Sequence, residues 1–481
     1  MSSIITSLQN KVKSKVLKNS FWGLAGSLFQ NVFLSLFYVL IARHYSVDDF
    51  AKYVIANSLY QMVVVFSSMG LGHWFIREVV NHEDKNKLAA KFLKMQAYFG
   101  IFFFLINLVF AFFLYSDDIV RILSLLFAAN IIFDNIIYSI KNVNIAQFSQ
   151  KKTVLVLSIE AISKFLIACL LFIYPFSIVY LAVFLVITRF VTLNLFLRIG
   201  AAEGFNLKGF WKEKIPFSFI KGILIKYWPF AIIGSAYVVY WKIDTLIISK
   251  MLPLEDVAHY ENSFKIFSLA QLVPVVLSST MLPKLVELYQ REDKTELKKA
   301  YQNIFKVLML YGIGAFTFTY SFADELVPWI FGDKYALSAQ YTKEMFFTIL
   351  VFPTSLLQAN MLIAMKLEKL DMWFNINSVI INSAICSIGL YFIQSLSIVN
   401  YAIFASFVVF HLSQDIVLLK NKIVSSTHVL GYIFISLILV LLYMFLQISI
   451  EDYILFPSFW IVIGAMVILG LRVVKNNQKL G

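Results

Sequence analysis

Apolar stretches of roughly 20 residues, the length a helix needs to cross about 30 Å of hydrocarbon, recur from residue 20 to residue 474 with little chain between them. In hydrocarbon every backbone N–H and C=O must be satisfied within the protein, so such stretches can only become helices packed on one another. Bounding each by charge places spans at 20–43, 53–75, 95–115, 119–140, 154–174, 177–198, 228–249, 260–283, 303–322, 343–365, 372–392, 400–419, 428–447 and 456–474. That makes about fourteen. The pairs 95–115/119–140 and 154–174/177–198 are split only by turns such as SDD and YPFS, which leaves twelve or thirteen open. Composition points the same way, since 60% apolar and 14% charged residues lie outside the range of a soluble domain. The expected fold is an all-α polytopic membrane protein with no large soluble domain.

Cytoplasmic loops of such proteins carry an excess of Lys and Arg. Here they alternate with the spans: Lys11 to Lys18, then Arg77 to Lys94, Lys141 with Lys151 and Lys152, a dense group from Arg198 to Lys226, Lys284 to Lys306, Lys366 with Lys369, Lys420 with Lys422, and Arg472 to Lys479. The opposite loops read SDD, ED and LPLEDVAHY. Both termini are therefore expected in the cytoplasm. The net charge of +13 is spread over these eight short loops, which is membrane topology and not a nucleic-acid footprint. The lysines ahead of the first span resemble a signal peptide, but the apolar run is over 20 residues long and shows no small-residue cleavage site, so it reads as a retained helix. Cys169 and Cys386 both fall inside spans and support neither a disulfide nor a metal site.

Two of the outer tips repeat. Sliding the chain by 207 positions lays HYSVDDFAKY, from His44, on MLPLEDVAHY, from Met251, so that Asp49, Ala51 and Tyr53 meet Asp256, Ala258 and Tyr260. A repeat unit of six spans is even, so the halves are parallel, related by a pseudo-two-fold along the membrane normal. This gives two six-helix lobes, residues 1–207 and 208–420, with spans 13 and 14 in 421–481 outside the symmetry. The lobe boundary is expected in the basic loop 199–227. In such repeats the substrate sits in a cleft between lobes that rock to expose it to either side. The tip carboxylates Asp48, Asp49, Glu255 and Asp256 are expected to cap the helices that follow them.

Three stretches carry a family resemblance: the opening run from KNSFWGLAGSLFQ through SVDDFAKYVIANSLYQ to GHWFIREV, DTLIISKMLPLEDVAHYENSFKI at the start of the second half, and IFGDKYALSAQ between spans 9 and 10. With them the whole chain resembles the polysaccharide and O-antigen flippases of the multidrug/oligosaccharidyl-lipid/polysaccharide exporter superfamily. Pro253 stands where that family commonly has glycine. The resemblance implies translocation of an undecaprenyl-pyrophosphate-linked oligosaccharide from the cytoplasmic to the periplasmic leaflet of a bacterial inner membrane. Implied partners are the lipid-linked oligosaccharide, membrane lipids, and the polysaccharide polymerase and chain-length machinery.

Charges at membrane depth are costly and therefore mark function or pairing. Lys242 lies mid-span 7, Arg189 mid-span 6, Lys265 in the outer third of span 8, Lys164 and Glu160 one turn apart in span 5, and Asp134 in span 4. Cations in a cleft suit a pyrophosphate. Lys242, Lys265, Arg189, Lys164 and Asp244 are thus the substrate-binding candidates, with Tyr240 and Trp241 as aromatic platforms for sugar rings. Each has a plainer reading: Glu160 and Lys164 can pair with each other, Lys265 can snorkel, Asp244 and Arg189 can bridge to neighbouring helices, and the aromatics can be lipid-facing bulk. Asp134, Glu160, Asp244 and Asp415 are candidates for coupling to H+ or Na+; no resident cofactor is expected. Pro274 and Pro353 are candidate bend points.

A membrane glycosyltransferase or polymerase would carry a sizeable outer loop with catalytic residues, whereas the longest outer loop here, 323–342, is some 20 residues. A multidrug exporter of the same superfamily would share the topology; cationic candidates argue against cationic drugs as cargo.

Overall fold

The computed structural model describes the backbone of residues 2–205 and 210–480 and, apart from short gaps, the side chains of residues 22–466. The expected lobe boundary at 207/208 and the terminal basic groups, Lys11 to Lys18 and Arg472 to Lys479, lie outside the described residues and side chains. Among the described residues the secondary structure is helical throughout, with no strand. Twelve described segments are helices long and apolar enough to cross a membrane. The other two predicted spans, 228–249 and 456–474, fall on helices of 35 and 29 residues. Helices therefore stand at all fourteen expected places, of which twelve meet the length and apolarity required.

The chain forms two compact units, Met1–Ala258 and His259–Gly481. The first contains α1 (Ser2–His44), α2 (Val47–Ser67), α3 (Gly72–Asn81), α4 (Lys85–Leu114), α5 (Asp118–Ala146), α6 (Gln150–Leu170), α7 (Ile178–Leu195) and α8 (Phe217–Met251). Within it α5 is the hub, packed on α2, α4 and α7, while α1 lies on α6 and α8 lies on α2. Gly100 allows the tight α4–α5 approach: a Cβ there would come within 2.9 Å of the Ile132 backbone. The second unit contains α9 (Leu254–Ala270), whose first turns belong to the first unit, then α10 (Leu272–Gln290), α11 (Lys294–Phe331), α12 (Ser338–Met345), α13 (Phe352–Ala364), α14 (Glu368–Phe392), α15 (Leu396–Lys420), α16 (Ser426–Gln447) and α17 (Asp452–Leu480).

The helix ends repeat along the chain. α1 ends at His44 and α8 at Met251, α2 starts at Val47 and α9 at Leu254, and both intervals are 207 residues. Farther on, α5, α6 and α7 start 220, 218 and 218 residues before α12, α14 and α15, so the second half carries an insertion of about a dozen residues at the end of α11. The first tip is capped as a reciprocal pair. Ser46 Oγ accepts from the Asp49 N–H at 3.1 Å and donates to Asp49 Oδ2 at 2.9 Å. Ser46, rather than the aspartates, is thus the N-cap, because it stands one residue before the first helical turn, and Asp48 instead pairs with Lys52 at 2.7 Å.

Three predicted spans are discontinuous. Span 2 breaks between α2 and α3, where Met69 and Gly70 both take left-handed φ, 51° and 60°. Span 8 breaks at Gln271, three residues before Pro274. Span 10 passes through a 3-10 turn at Phe346–Leu350 before α13, whose second residue is Pro353. Both prolines therefore sit in the first turn of a new helix, where a missing N–H costs nothing.

Candidate functional site

The span-2 break is the centre of a cavity of about 460 Å³ that lies wholly in the first unit. A broken helix at membrane depth leaves backbone groups that protein or cavity must satisfy. The Ser68 carbonyl accepts from Gln96 Nε2 at 3.0 Å, and the Gly72 N–H donates to the Tyr138 hydroxyl at 2.8 Å. Gly72 permits that contact, since a Cβ there would fall 2.4 Å from Asn142 Oδ1. With α3 starting at Gly72, its N-terminal, electropositive end opens on the cavity beside Gly70 and His73. From α8 come Gly234 and Val238, and a Cβ added at Gly234 would stand in ordinary contact with the Gly70 Cα, at 3.9 Å.

The charged wall of the cavity is built by α5 and α7. Arg189 is clamped between two carboxylates: its Nε donates to Asp134 Oδ1 at 2.5 Å and its Nη1 to Glu160 Oε2 at 2.5 Å. Asp134 also accepts from the Tyr60 hydroxyl, and Glu160 Oε1 meets Lys164 Nζ at 2.7 Å. Four spans are tied by this network, in which two acids and two bases balance. Lys141 adds a fifth charge. It lines the cavity two turns along α5 from Asp134, about 10 Å by helix rise, and makes no hydrogen bond or ion pair among the described residues. The five groups together carry one positive charge in excess, and His73 is among the residues that line the cavity.

The sequence candidates fall into separate places. Arg189 and Asp134 line the cavity, while Glu160 and Lys164 sit behind them as the ion pair their spacing allowed. Lys242 is buried on α8, one turn beyond Val238 on the same helix face, and is outside the cavity lining; Asp244, fully buried, points from another face. Tyr240 and Trp241 are 6% and 2% exposed and meet edge to face, with ring centroids 5.0 Å apart, outside the residues that line the cavity. Lys265 is half-buried in the second unit. Asp415 lies deep in the second unit, held by Gln358 at 2.7 Å. Lys141 and His73 were not among the candidates. Lys141 reads as a loop lysine because it stands five residues from the end of α5, and only the fold turns it inward.

The sequence profile of the family described as "Polysaccharide biosynthesis protein" matches residues 16–289, more than half of the chain. The chain belongs to this family. Those residues include the whole cavity; a second profile, described as MatE, matches residues 229–388. No curated protein matches the sequence. Among solved structures, the fold of this polysaccharide-biosynthesis family member is similar to that of the lipid II flippase MurJ in an inward closed conformation, with a TM-score of 0.70 at 14% identity over 93% of this chain and 98% of that one. It is similar to an inward-facing multidrug resistance MATE transporter of the MOP superfamily, with a TM-score of 0.68 at 11% identity over 82% and 96%. A MOP-superfamily transporter from Pyrococcus furiosus, described by the reverse polarity of its binding pocket, matches with a TM-score of 0.55 at 11% identity over 85% and 96%. The protein is thus a multi-pass membrane protein with the fold of the MOP-superfamily transporters and flippases.

Proposed function

We propose that this chain moves a polyprenyl-pyrophosphate-linked oligosaccharide from the cytoplasmic to the periplasmic leaflet of a bacterial inner membrane, by alternating access of two lobes, with both termini in the cytoplasm. The observation that carries this reading is the cavity at the span-2 break. It gathers Lys141, Arg189, His73 and the N-terminus of α3 around one space with a net positive charge. Those are the groups that recognise phosphate: helix N–H groups, a guanidinium fixed in orientation, and a lysine ammonium available as a point charge. Arg189 is held by Asp134 and Glu160, so it is pre-positioned but largely neutralised. Lys141 is the cation that meets the cargo. Lys242, one turn farther along the α8 face that lines the cavity, is the next cation along the path. The family's tie to polysaccharide synthesis and the flippase fold support the same cargo class.

The test is binding of undecaprenyl pyrophosphate to the purified full chain in nanodiscs. Wild type should bind it in preference to undecaprenol, and Lys141→Met should lose that preference while the protein stays folded. A wild-type protein that instead prefers a lipophilic cation over the pyrophosphate lipid would overturn the reading in favour of a drug exporter.

A further inference from the structure

The second unit contains a buried ladder between α13 and α15 that the cargo cavity does not use. Thr354 and Gln358, one turn apart on α13, face His411 and Asp415, one turn apart on α15. Thr354 Oγ1 meets His411 Nε2 at 3.0 Å, and Gln358 Nε2 donates to Asp415 Oδ1 at 2.7 Å. His411 Nδ1 stands 3.0 Å from Asp415 Oδ2, which accepts no hydrogen bond from any other group among the described residues. Both side chains are buried, at 2% and 3% exposure.

Such a pair has one neutral composition, in which a single proton is shared between carboxyl and imidazole. We infer that His411 and Asp415 form a proton-carrying site in the second unit and that its loading and discharge couple the proposed transport to a proton gradient. The donor set argues for H+ over Na+. The group nearest the free carboxylate oxygen is an imidazole nitrogen and the other oxygen is taken by an amide N–H, whereas hard cations gather oxygen ligands.

The surroundings permit release. Tyr432 of α16 stacks on the His411 ring at 5.2 Å, the Tyr301 hydroxyl of α11 reaches the Gln358 side chain, and His428 Nε2 of α16 is buried without a hydrogen bond among the described residues. The remaining titratable groups facing this region are Lys306 of α11, which acts on His428, and Asp371 of α14, held by Gln414 at 3.0 Å and Asn375. Glu344 of α12 meets the far end of α15 at Ser397 and Asn400. Asp415 is five residues from the end of α15, about 7.5 Å by helix rise, at the side the lysine pattern assigns to the cytoplasm. Water admitted there by a small parting of α13 and α15 would let the proton leave.

The inference rests on the transport reading, so two measurements separate their failures. Infrared difference titration of the full chain in nanodiscs, without cargo, should show a carboxylic C=O band that appears on acidification, is lost in Asp415→Asn and shifts in His411→Gln. No titrating band that depends on either residue overturns the proton site whatever the cargo. In vesicles with undecaprenyl pyrophosphate as cargo and a trapped pH dye, wild type should show cargo-dependent proton flux, and Asp415→Asn should lose the flux yet still bind the lipid. Flux that persists in both variants, or that follows an imposed Na+ gradient instead, also overturns it. If wild type moves no pyrophosphate lipid, the transport reading fails while the infrared result still decides the site.

Discussion

Replacing Arg189 with methionine keeps the apolar stem and removes the cation from between Asp134 and Glu160. The two acids are affected unequally. Glu160 keeps Lys164 at 2.7 Å, whereas Asp134 keeps only the Tyr60 hydroxyl. One carboxylate, not two, is stranded, and breaking a buried pair costs roughly 3–5 kcal/mol. At about 1.4 kcal/mol per tenfold, the folded-to-unfolded ratio should fall about 100-fold or more. Removing the stranded charge as well, in Arg189→Met with Asp134→Asn, should recover roughly 1–3 kcal/mol relative to the sum of the single changes, the coupling expected of groups in direct contact. Lys141→Met strands no acid, because Lys141 makes no ion pair among the described residues, so stability should change little while pyrophosphate binding is lost. The assay is thermal or denaturant unfolding of five proteins in one detergent, wild type, Arg189→Met, Asp134→Asn, the double variant and Lys141→Met, alongside lipid binding. An Arg189→Met protein as stable as wild type, or a double variant no better than additive, would refute the argument that this network neutralises Arg189.

Further expectations test other parts of the fold. Gly72→Val should destabilise the chain and disturb the break, since its Cβ would lie 2.4 Å from Asn142 Oδ1 and 2.5 Å from the Tyr138 hydroxyl; normal membrane abundance would count against the packing described. Reporter fusions after Lys85, Lys152, Lys212, Lys294 and Lys422 should read cytoplasm and those near Asp49, Asp118, Asp256 and Asp333 periplasm; periplasmic signal from loop 199–227 would reverse the orientation. Lys242→Ala should abolish export at normal abundance, with Lys242→Arg partly active; rescue by Lys242→Ala with Asp244→Ala would assign Lys242 to structural pairing instead.

The helices were legible because apolar length is a local property. The hairpin tip could be read for the same reason, and its 207-residue interval reappears in the ends of α1 and α8 and the starts of α2 and α9. The buried charges could be named but not joined. Asp134, Glu160 and Arg189 lie on three helices, and nothing local says that one arginine takes both acids. The Glu160–Lys164 pair was readable because its four-residue spacing is one helical turn. The break at Met69–Gly70 was hidden inside an apolar run, since a left-handed turn there is held by Gln96 and Tyr138 from two other helices.

The sequence by itself determined that this chain is a bundle of membrane helices and in what order they come, and its lysine pattern led to the expectation that the basic loops gather on one side. Those follow from the cost of an unpaired peptide or charge in hydrocarbon, which each segment meets alone. Only the tertiary structure decided which charges cancel and which remain available. Arg189 is neutralised by partners 29 and 55 residues away, and Lys141, near a helix end, is turned onto a cavity. Charge balance at that depth is a property of neighbouring helices, and no single segment contains it.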